Sequence, residues 1–66
     1  MKLQLNGETQ EVNDAATLDE LVTRLGIERQ HLVIEHNGAI RTAEEWSAAA
    51  LQDGDVVEMV RFVGGG

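Results

Sequence analysis

The sequence of 66 residues lacks cysteine, proline and tyrosine, and its aromatic residues are limited to Trp46 and Phe62. Without cysteine, the chain can form no disulfide, no thiolate metal site and no thiol nucleophile. A chain this short buries only ~60% of its unfolded surface, so one small core must stabilise it. The hydrophobic share of 42% is enough for an aliphatic core and exceeds that of a disordered chain.

Basic residues are also scarce, because five Lys and Arg stand against twelve Asp and Glu for a formal net charge of −7. The negative field repels phosphate backbones and anionic lipid, so we expect no nucleic-acid or membrane partner. A partner protein with a basic surface is favoured instead. Acidity that serves solubility alone is the alternative. No stretch approaches the ~20 apolar residues of a membrane span, and no signal-peptide pattern is present, so we expect a cytoplasmic protein.

Two hairpins are predicted from alternating residues that flank Asn-Gly dipeptides. In "MKLQLN", Leu3 and Leu5 alternate with polar residues, which predicts a half-buried strand, and "ETQEV" follows as its polar partner. Asn-Gly at 6–7 favours a two-residue turn, because both turn positions need positive φ. The stretch "HLVIEHNGAI" repeats this order of strand, turn and short strand. A last strand is predicted at 55–63.

One helix is predicted at "TLDELVTRLG". Thr17 and Glu20 have the spacing of a capping box, and Gly26 suits the left-handed residue that ends a helix. Apolar residues at i, i+3, i+4 and i+7 form a single buried stripe, which consists of Leu18, Leu21, Val22 and Leu25. Further along, Thr42 and Glu45 could cap a single helical turn that holds Trp46 as a lid on the core.

The element order β-β-α-β-β, a short turn and a final β predicts an α+β fold. We expect one main helix on one face of a mixed four- to five-stranded sheet, with the first and last strands parallel and central. Residues 1–63 should form the domain and residues 64–66 a flexible glycine tail.

Few side chains could carry chemistry. His31 and His36 lie five positions apart across a predicted strand, so they face opposite sides and cannot jointly bind a metal there. We interpret both as surface or turn-flanking histidines. Neither a P-loop nor a "GxGxxG" motif occurs. We therefore expect that the chain has no metal site, binds no cofactor and does not act alone as an enzyme.

The glycines of "RFVGGG" are the remaining candidate. Three extended residues reach ~10 Å and, without side chains, can enter a narrow channel. The α-carboxylate of Gly66 would be ionised and a poor electrophile at neutral pH, so it must be activated before it can react. The chain offers no site for that activation, so a partner enzyme must supply it. A frayed end without function is the alternative.

The chain resembles the sulfur-carrier proteins of thiamine biosynthesis, within the ubiquitin-like β-grasp superfamily. The stretches "VRFVGGG" and "LQDGDVVEMV", the Asn-Gly turn at 37–38 and Trp46 carry the resemblance, which covers essentially the whole chain. Thr42 and Ala43 depart from it, because many relatives have proline there, and we expect a local change of turn. The terminal Gly-Gly is shared by the whole superfamily, whereas "DGD" at 53–55 together with "FVGGG" is more specific to this branch.

The resemblance implies a reaction sequence. An activating enzyme adenylates Gly66 with ATP, sulfur from a cysteine desulfurase pathway converts it to a thiocarboxylate, and thiazole synthase receives the sulfur. Gly64 and Gly65 would thread the active sites of these partners. The carrier is then a co-substrate of other enzymes and binds no cofactor of its own.

The two faces of the last strand each hold one charge, so periodicity leaves the buried face undecided. The resemblance places Val57 and Met59 toward the helix. Val60 and Phe62 then become exposed apolar residues beside the tail, which suits a patch for partner docking.

Three alternatives to this function stay open. One is the thiocarboxylate carrier of molybdopterin synthesis, which has the same fold. Another is a ubiquitin-like modifier that is joined to target lysines through Gly66. The third is a plain interaction module whose tail has no role.

Overall fold

The computed structural model describes residues 1–62, which form a five-stranded mixed sheet with a helix on one face. Along the chain the elements are β1 (Lys2–Leu5), β2 (Glu8–Glu11), α1 (Leu18–Leu25), β3 (Leu32–His36), β4 (Ala39–Arg41), a 3₁₀ helix (Ala43–Ala48) and β5 (Val56–Arg61). Across the sheet the strand order is β2-β1-β5-β3-β4. This arrangement confirms the predicted α+β fold.

The first and last strands are parallel neighbours at the centre of the sheet, as predicted. Leu5 of β1 is in register with Val57 of β5, and β5 pairs on its other side with antiparallel β3. The two hairpins close through turns in which both residues have positive φ, at Asn6-Gly7 (50° and 83°) and Asn37-Gly38 (51° and 86°). These values are typical of the type I′ turns that Asn-Gly favours.

Helix α1 begins and ends where the sequence indicates. The Thr17 hydroxyl accepts a hydrogen bond from the Glu20 N–H at 3.2 Å, and Gly26 follows the helix with φ of 68°. One detail of the predicted capping box differs, because the Glu20 carboxylate accepts from the Ala16 N–H at 2.6 Å, one residue before the cap. The backbone on both sides of Thr17 also pairs with residues 49–51. The Leu18 N–H donates to the Ala49 carbonyl, and the Leu51 N–H donates to the Ala16 carbonyl.

The core lies between α1 and the sheet. Leu18, Leu21 and Val22 of the helix are fully buried, whereas Leu25 is only half-buried at the helix end. The strand residues that face them are also buried and comprise Leu3, Leu5, Ile34, Val57 and Met59. Trp46 closes the core as the predicted lid, with its indole N–H donating to the Arg41 carbonyl at 3.0 Å.

The segment after β4 forms a 3₁₀ helix of 6 residues, longer than the single turn predicted there. Its start is stabilised by Glu45, whose carboxylate accepts from the Thr42 N–H at 2.8 Å. Hydrogen bonds from the backbone and hydroxyl of Thr42 hold the pKa of the Glu45 carboxyl below its ordinary value. Thr42 is thus the residue at which this helix is capped.

Strand β5 spans Val56–Arg61, so it begins one residue later than predicted and ends before Phe62, although the prediction ran to Val63. Val63 and the predicted tail at 64–66 lie outside the described residues, and so does the boundary between domain and tail. Within residues 1–62, no helix is both long and apolar enough to cross a membrane.

Candidate functional site

The outward face of β5 is the first part of the candidate site. Val57 and Met59 are buried against the helix side, whereas Val60 and Phe62 are 51% and 61% exposed. The buried face of β5, which periodicity left undecided, is therefore the one that the family resemblance implies. The exposure of both predicted docking residues agrees with that prediction, and their docking role stays a prediction.

Two further apolar residues extend this surface, and sequence reasoning missed both. Ile40 of β4 is 67% exposed and Val56 of β5 is 39% exposed. Ile40 is in register with Glu35, which places it on the sheet face opposite α1, hereafter the open face. A strand of three residues is too short for alternation to show this. The signal in the sequence that indicates this face is the position of Ile40, two residues after the Asn37-Gly38 turn.

The end of β5 is held by its pairing with the start of β3. The Phe62 N–H donates to the His31 carbonyl at 3.0 Å, so the ladder continues one residue beyond the strand. The Arg61 guanidinium also lies 3.3 Å from the Glu28 carboxylate, although exposed ion pairs of this kind contribute little. Backbone pairing therefore fixes the chain as far as Phe62, the last described residue before the stretch that contains the predicted sulfur-bearing Gly66.

The turn between β1 and β2 supports the middle of β5. The Asn6 side-chain oxygen accepts from the Met59 N–H at 2.7 Å, and the Asn6 N–H donates to the Val57 carbonyl at 3.0 Å. These bonds extend the β1–β5 pairing beyond the end of β1. The strand that leads to the terminal glycines is thus held from both sides.

Of the two predicted alternatives for His36, the turn-flanking one is confirmed, since His36 directly precedes the Asn37-Gly38 turn, and the surface one is wrong. His36 is only 6% exposed, and its Nε2 lies 2.7 Å from the Asp55 carboxylate. The physical reason is strand alternation, which places His36 on the same core-facing side as Leu32 and Ile34. His31 is exposed as predicted and has φ of 63°, just before β3.

Asp55 organises the start of β5. Its carboxylate also accepts from the Asn37 amide at 3.0 Å and from the Gln52 N–H at 2.9 Å, and the Asn37 oxygen accepts from the Val56 N–H at 2.8 Å. Burial is the largest influence on the Asp55 pKa and raises it, but the bonds from Asn37, His36 and Gln52 together hold this pKa below its ordinary value. Asp55 is thus an ionised structural residue.

The described residues offer no metal centre. In the part of the chain that the structure describes, no three His, Asp or Glu side chains converge in a way that could hold a metal ion. The described part of the candidate site is consequently a surface, namely the open face of β5 with the strand end that leads to residues 63–66.

Comparison with known proteins assigns this arrangement to a family. The model of the ThiS family matches residues 3–66. The chain is 37% identical over 65 residues to the sulfur carrier protein ThiS of Bacillus subtilis, which covers 97% of this chain and 98% of that protein. The chain belongs to the ThiS family. The predicted resemblance to the sulfur carriers of thiamine biosynthesis is thereby confirmed.

A solved structure supports the ThiS fold independently. The crystal structure of the thiamine biosynthesis protein ThiS from Geobacter metallireducens matches with a TM-score of 0.83 and 33% identity, over 100% of both chains. This confirms the ubiquitin-like β-grasp architecture, with its mixed sheet and single main helix.

A longer relative also contains a ThiS-like segment. The thiazole synthase of Magnetococcus marinus is 36% identical over 66 residues, which is 100% of this chain. The chain spans only 20% of that protein, so most of the relative has no counterpart here.

Proposed function

We propose that this chain is a sulfur carrier for the thiazole ring of thiamine, with the sulfur borne on the carboxylate of Gly66. The observation that carries the proposal is the 37% identity to a sulfur carrier over nearly the full length of both chains. The chain then acts as a co-substrate of partner enzymes in the cytoplasm, where ATP is available to them, rather than as an enzyme.

The proposed reaction has two steps at one carbon atom. An activating enzyme first joins the Gly66 carboxylate to the AMP part of ATP, and pyrophosphate leaves. A persulfide from a cysteine desulfurase pathway then attacks the acyl carbon and displaces AMP, which leaves with one carboxylate oxygen. A thiol reductant supplies two electrons and cleaves the resulting acyl disulfide, so that the thiocarboxylate remains on Gly66. Activation is required because an ionised carboxylate is a poor electrophile at neutral pH.

Gly64 and Gly65 are proposed to carry the reactive carboxylate into partner active sites. Glycine has no side chain to exclude it from a narrow channel, and three residues reach ~10 Å. Support comes from the fixed position of Phe62, two positions before Gly64, because the Phe62 N–H donates to the His31 carbonyl at 3.0 Å. A fixed residue at the end of the sheet limits how far the short glycine segment can extend. The proposal requires a free carboxylate at Gly66.

Val60 and Phe62 are proposed to dock on the partner enzymes. Both are apolar and exposed, and Phe62 lies two positions before Gly64. Exposed apolar residues that cluster on one face are typical of interaction surfaces. Thiazole synthase is the proposed recipient, and the ThiS-like segment within a thiazole synthase supports that choice.

Reconstitution with purified components tests the recipient. The chain, activating enzyme, ATP, sulfur donor and thiazole synthase should yield thiazole product, and omission of the chain should prevent it. The matched control replaces thiazole synthase with the large subunit of molybdopterin synthase. Sulfur transfer only in the control would assign the chain to molybdopterin synthesis instead.

A further inference from the structure

The open face carries an acidic pair that the proposed docking residues leave unexplained. Glu35 of β3 and Glu58 of β5 are directly opposite in the antiparallel register, and both are exposed. Residues in such positions have Cβ atoms ~4.5–5.5 Å apart, and like charges there destabilise a sheet. The chain thus places two carboxylates together at a cost to its own stability.

No basic side chain relieves this repulsion. Among residues 1–62, no Lys or Arg nitrogen lies within ion-pair distance of either carboxylate. Three of the five basic residues form ion pairs elsewhere, namely Arg24, Arg29 and Arg61. The other two lie elsewhere in the sheet, because Lys2 is opposite Glu11 and Arg41 is in register with Ile34, whose side chain faces the core. The acidic pair therefore has unused capacity to accept a cation.

Apolar side chains lie beside the pair on the open face. Val33 and Val60 form the next cross-strand pair on the same face, and Ile40 lies opposite Glu35 on its other side. A partner that covers these apolar side chains also removes water from the two carboxylates. Burial of an unpaired carboxylate is costly, so the partner must supply a positive charge at this point.

We propose that Glu35 and Glu58 together receive the guanidinium group of one arginine of thiazole synthase, set within an apolar surface of that enzyme. This inference rests on the proposed function. Arginine suits the site better than lysine, because its planar group has five N–H donors and can serve two carboxylates at once. The pair then selects the partner, since an apolar surface without a cation would bury two uncompensated charges.

The test measures binding and melting on the same variants. Glu35→Gln and Glu58→Gln should each weaken binding to thiazole synthase from the same genome by ~10-fold or more. Each should also raise the melting temperature by ~1–5 °C, because it removes the cross-strand repulsion. The matched control is Glu44→Gln, which removes the same charge from an exposed position of the 3₁₀ helix. The control should change affinity less than ~2-fold, since it alters only long-range attraction.

A charge reversal sharpens the test. Glu35→Lys places a cation opposite Glu58, so the melting temperature should rise further while binding falls more than in either glutamine variant. A gain in stability together with a loss of binding separates a recognition role from a structural one, because structural damage would lower both.

Several results would overturn the proposal. These are unchanged affinity in both glutamine variants, an equal loss in the Glu44 control, lower melting temperatures in the variants, or no binding of the parent chain to thiazole synthase. Sulfur loading of each protein is measured separately by intact mass with activating enzyme, ATP and sulfur donor. A loaded parent whose variants bind as it does defeats this inference alone, whereas a parent that never gains sulfur defeats the proposed function.

Discussion

The imidazole of His36 lies 2.7 Å from the carboxylate of Asp55, and both side chains are buried where β3 ends and β5 begins. Asp55 accepts from His36, Asn37 and Gln52 together, so a single side chain satisfies donors from three neighbouring positions in the fold. The strand that leads to the glycines begins at this network.

Asp55→Asn should lower the free energy of unfolding at pH 7 by ~1–3 kcal/mol, because one of the two accepting oxygens becomes an NH2 group that faces buried donors. The Asp55 pKa is lowered in the folded state, so its contribution is present above the unfolded pKa of ~3.9 and is lost as pH falls through the folded pKa. Denaturant titrations of both proteins at several pH values measure this. The difference between them should shrink below about pH 4. A constant difference down to the folded pKa would show that the carboxylate charge has no role.

The helix side of the core is tested by Leu21→Ala. Leu21 is fully buried, so its truncation should cost ~2–5 kcal/mol of unfolding free energy. Leu25→Ala is the matched control and should cost less, because Leu25 is only half-buried. Chemical denaturation of the two variants gives both values. If Leu21→Ala melts like the parent protein, the core assignment is wrong.

Most of the fold follows from local sequence signals. The two Asn-Gly turns, the apolar stripe from Leu18 and the final Gly26 each act over a few residues, and the structure confirms them. The 3₁₀ helix was predicted as a single turn, because its six residues contain no long apolar stripe that would reveal its length.

The remaining features depend on contacts between distant residues. The buried face of β5 could not be chosen from periodicity, since each face holds one charge, and the choice came from family resemblance. The burial of His36 was missed because its partner Asp55 is 19 residues away in sequence. Glu35 and Glu58 are brought together only by strand register, which single-strand patterns do not give.

The docking surface is tested by Phe62→Asp. The side chain is exposed, so the variant should stay folded, yet a charge in an apolar contact should weaken binding to the activating enzyme by ~2 kcal/mol or more, about 30-fold. Gln10→Asp adds the same charge at an exposed position of β2 and should bind nearly as the parent does. Calorimetric titration gives the affinities. Unfolding of Phe62→Asp without specific loss of binding would mean that Phe62 is structural.

The net charge of −7 predicts how association responds to salt. Complementary charge mainly accelerates encounter, and salt screens it, so the association rate constant with the activating enzyme should fall as ionic strength rises. Stopped-flow measurements from low to high salt check this. A rate constant that does not depend on salt would leave solubility as the role of the acidic surface.

The most direct test of the carrier function is the intact mass of the chain after incubation with activating enzyme, ATP and a sulfur donor. The mass should rise by the difference between one sulfur and one oxygen atom, and fragmentation should place the change on Gly66. Removal of Gly66, or addition of one residue after it, should abolish the change although the fold is intact. The shortened arm leaves its carboxylate ~3.5 Å from the required position, and errors of ~1 Å already cost ~100-fold in rate. Equal sulfur incorporation into either altered chain would contradict the carrier function and leave the glycines as an end without a role.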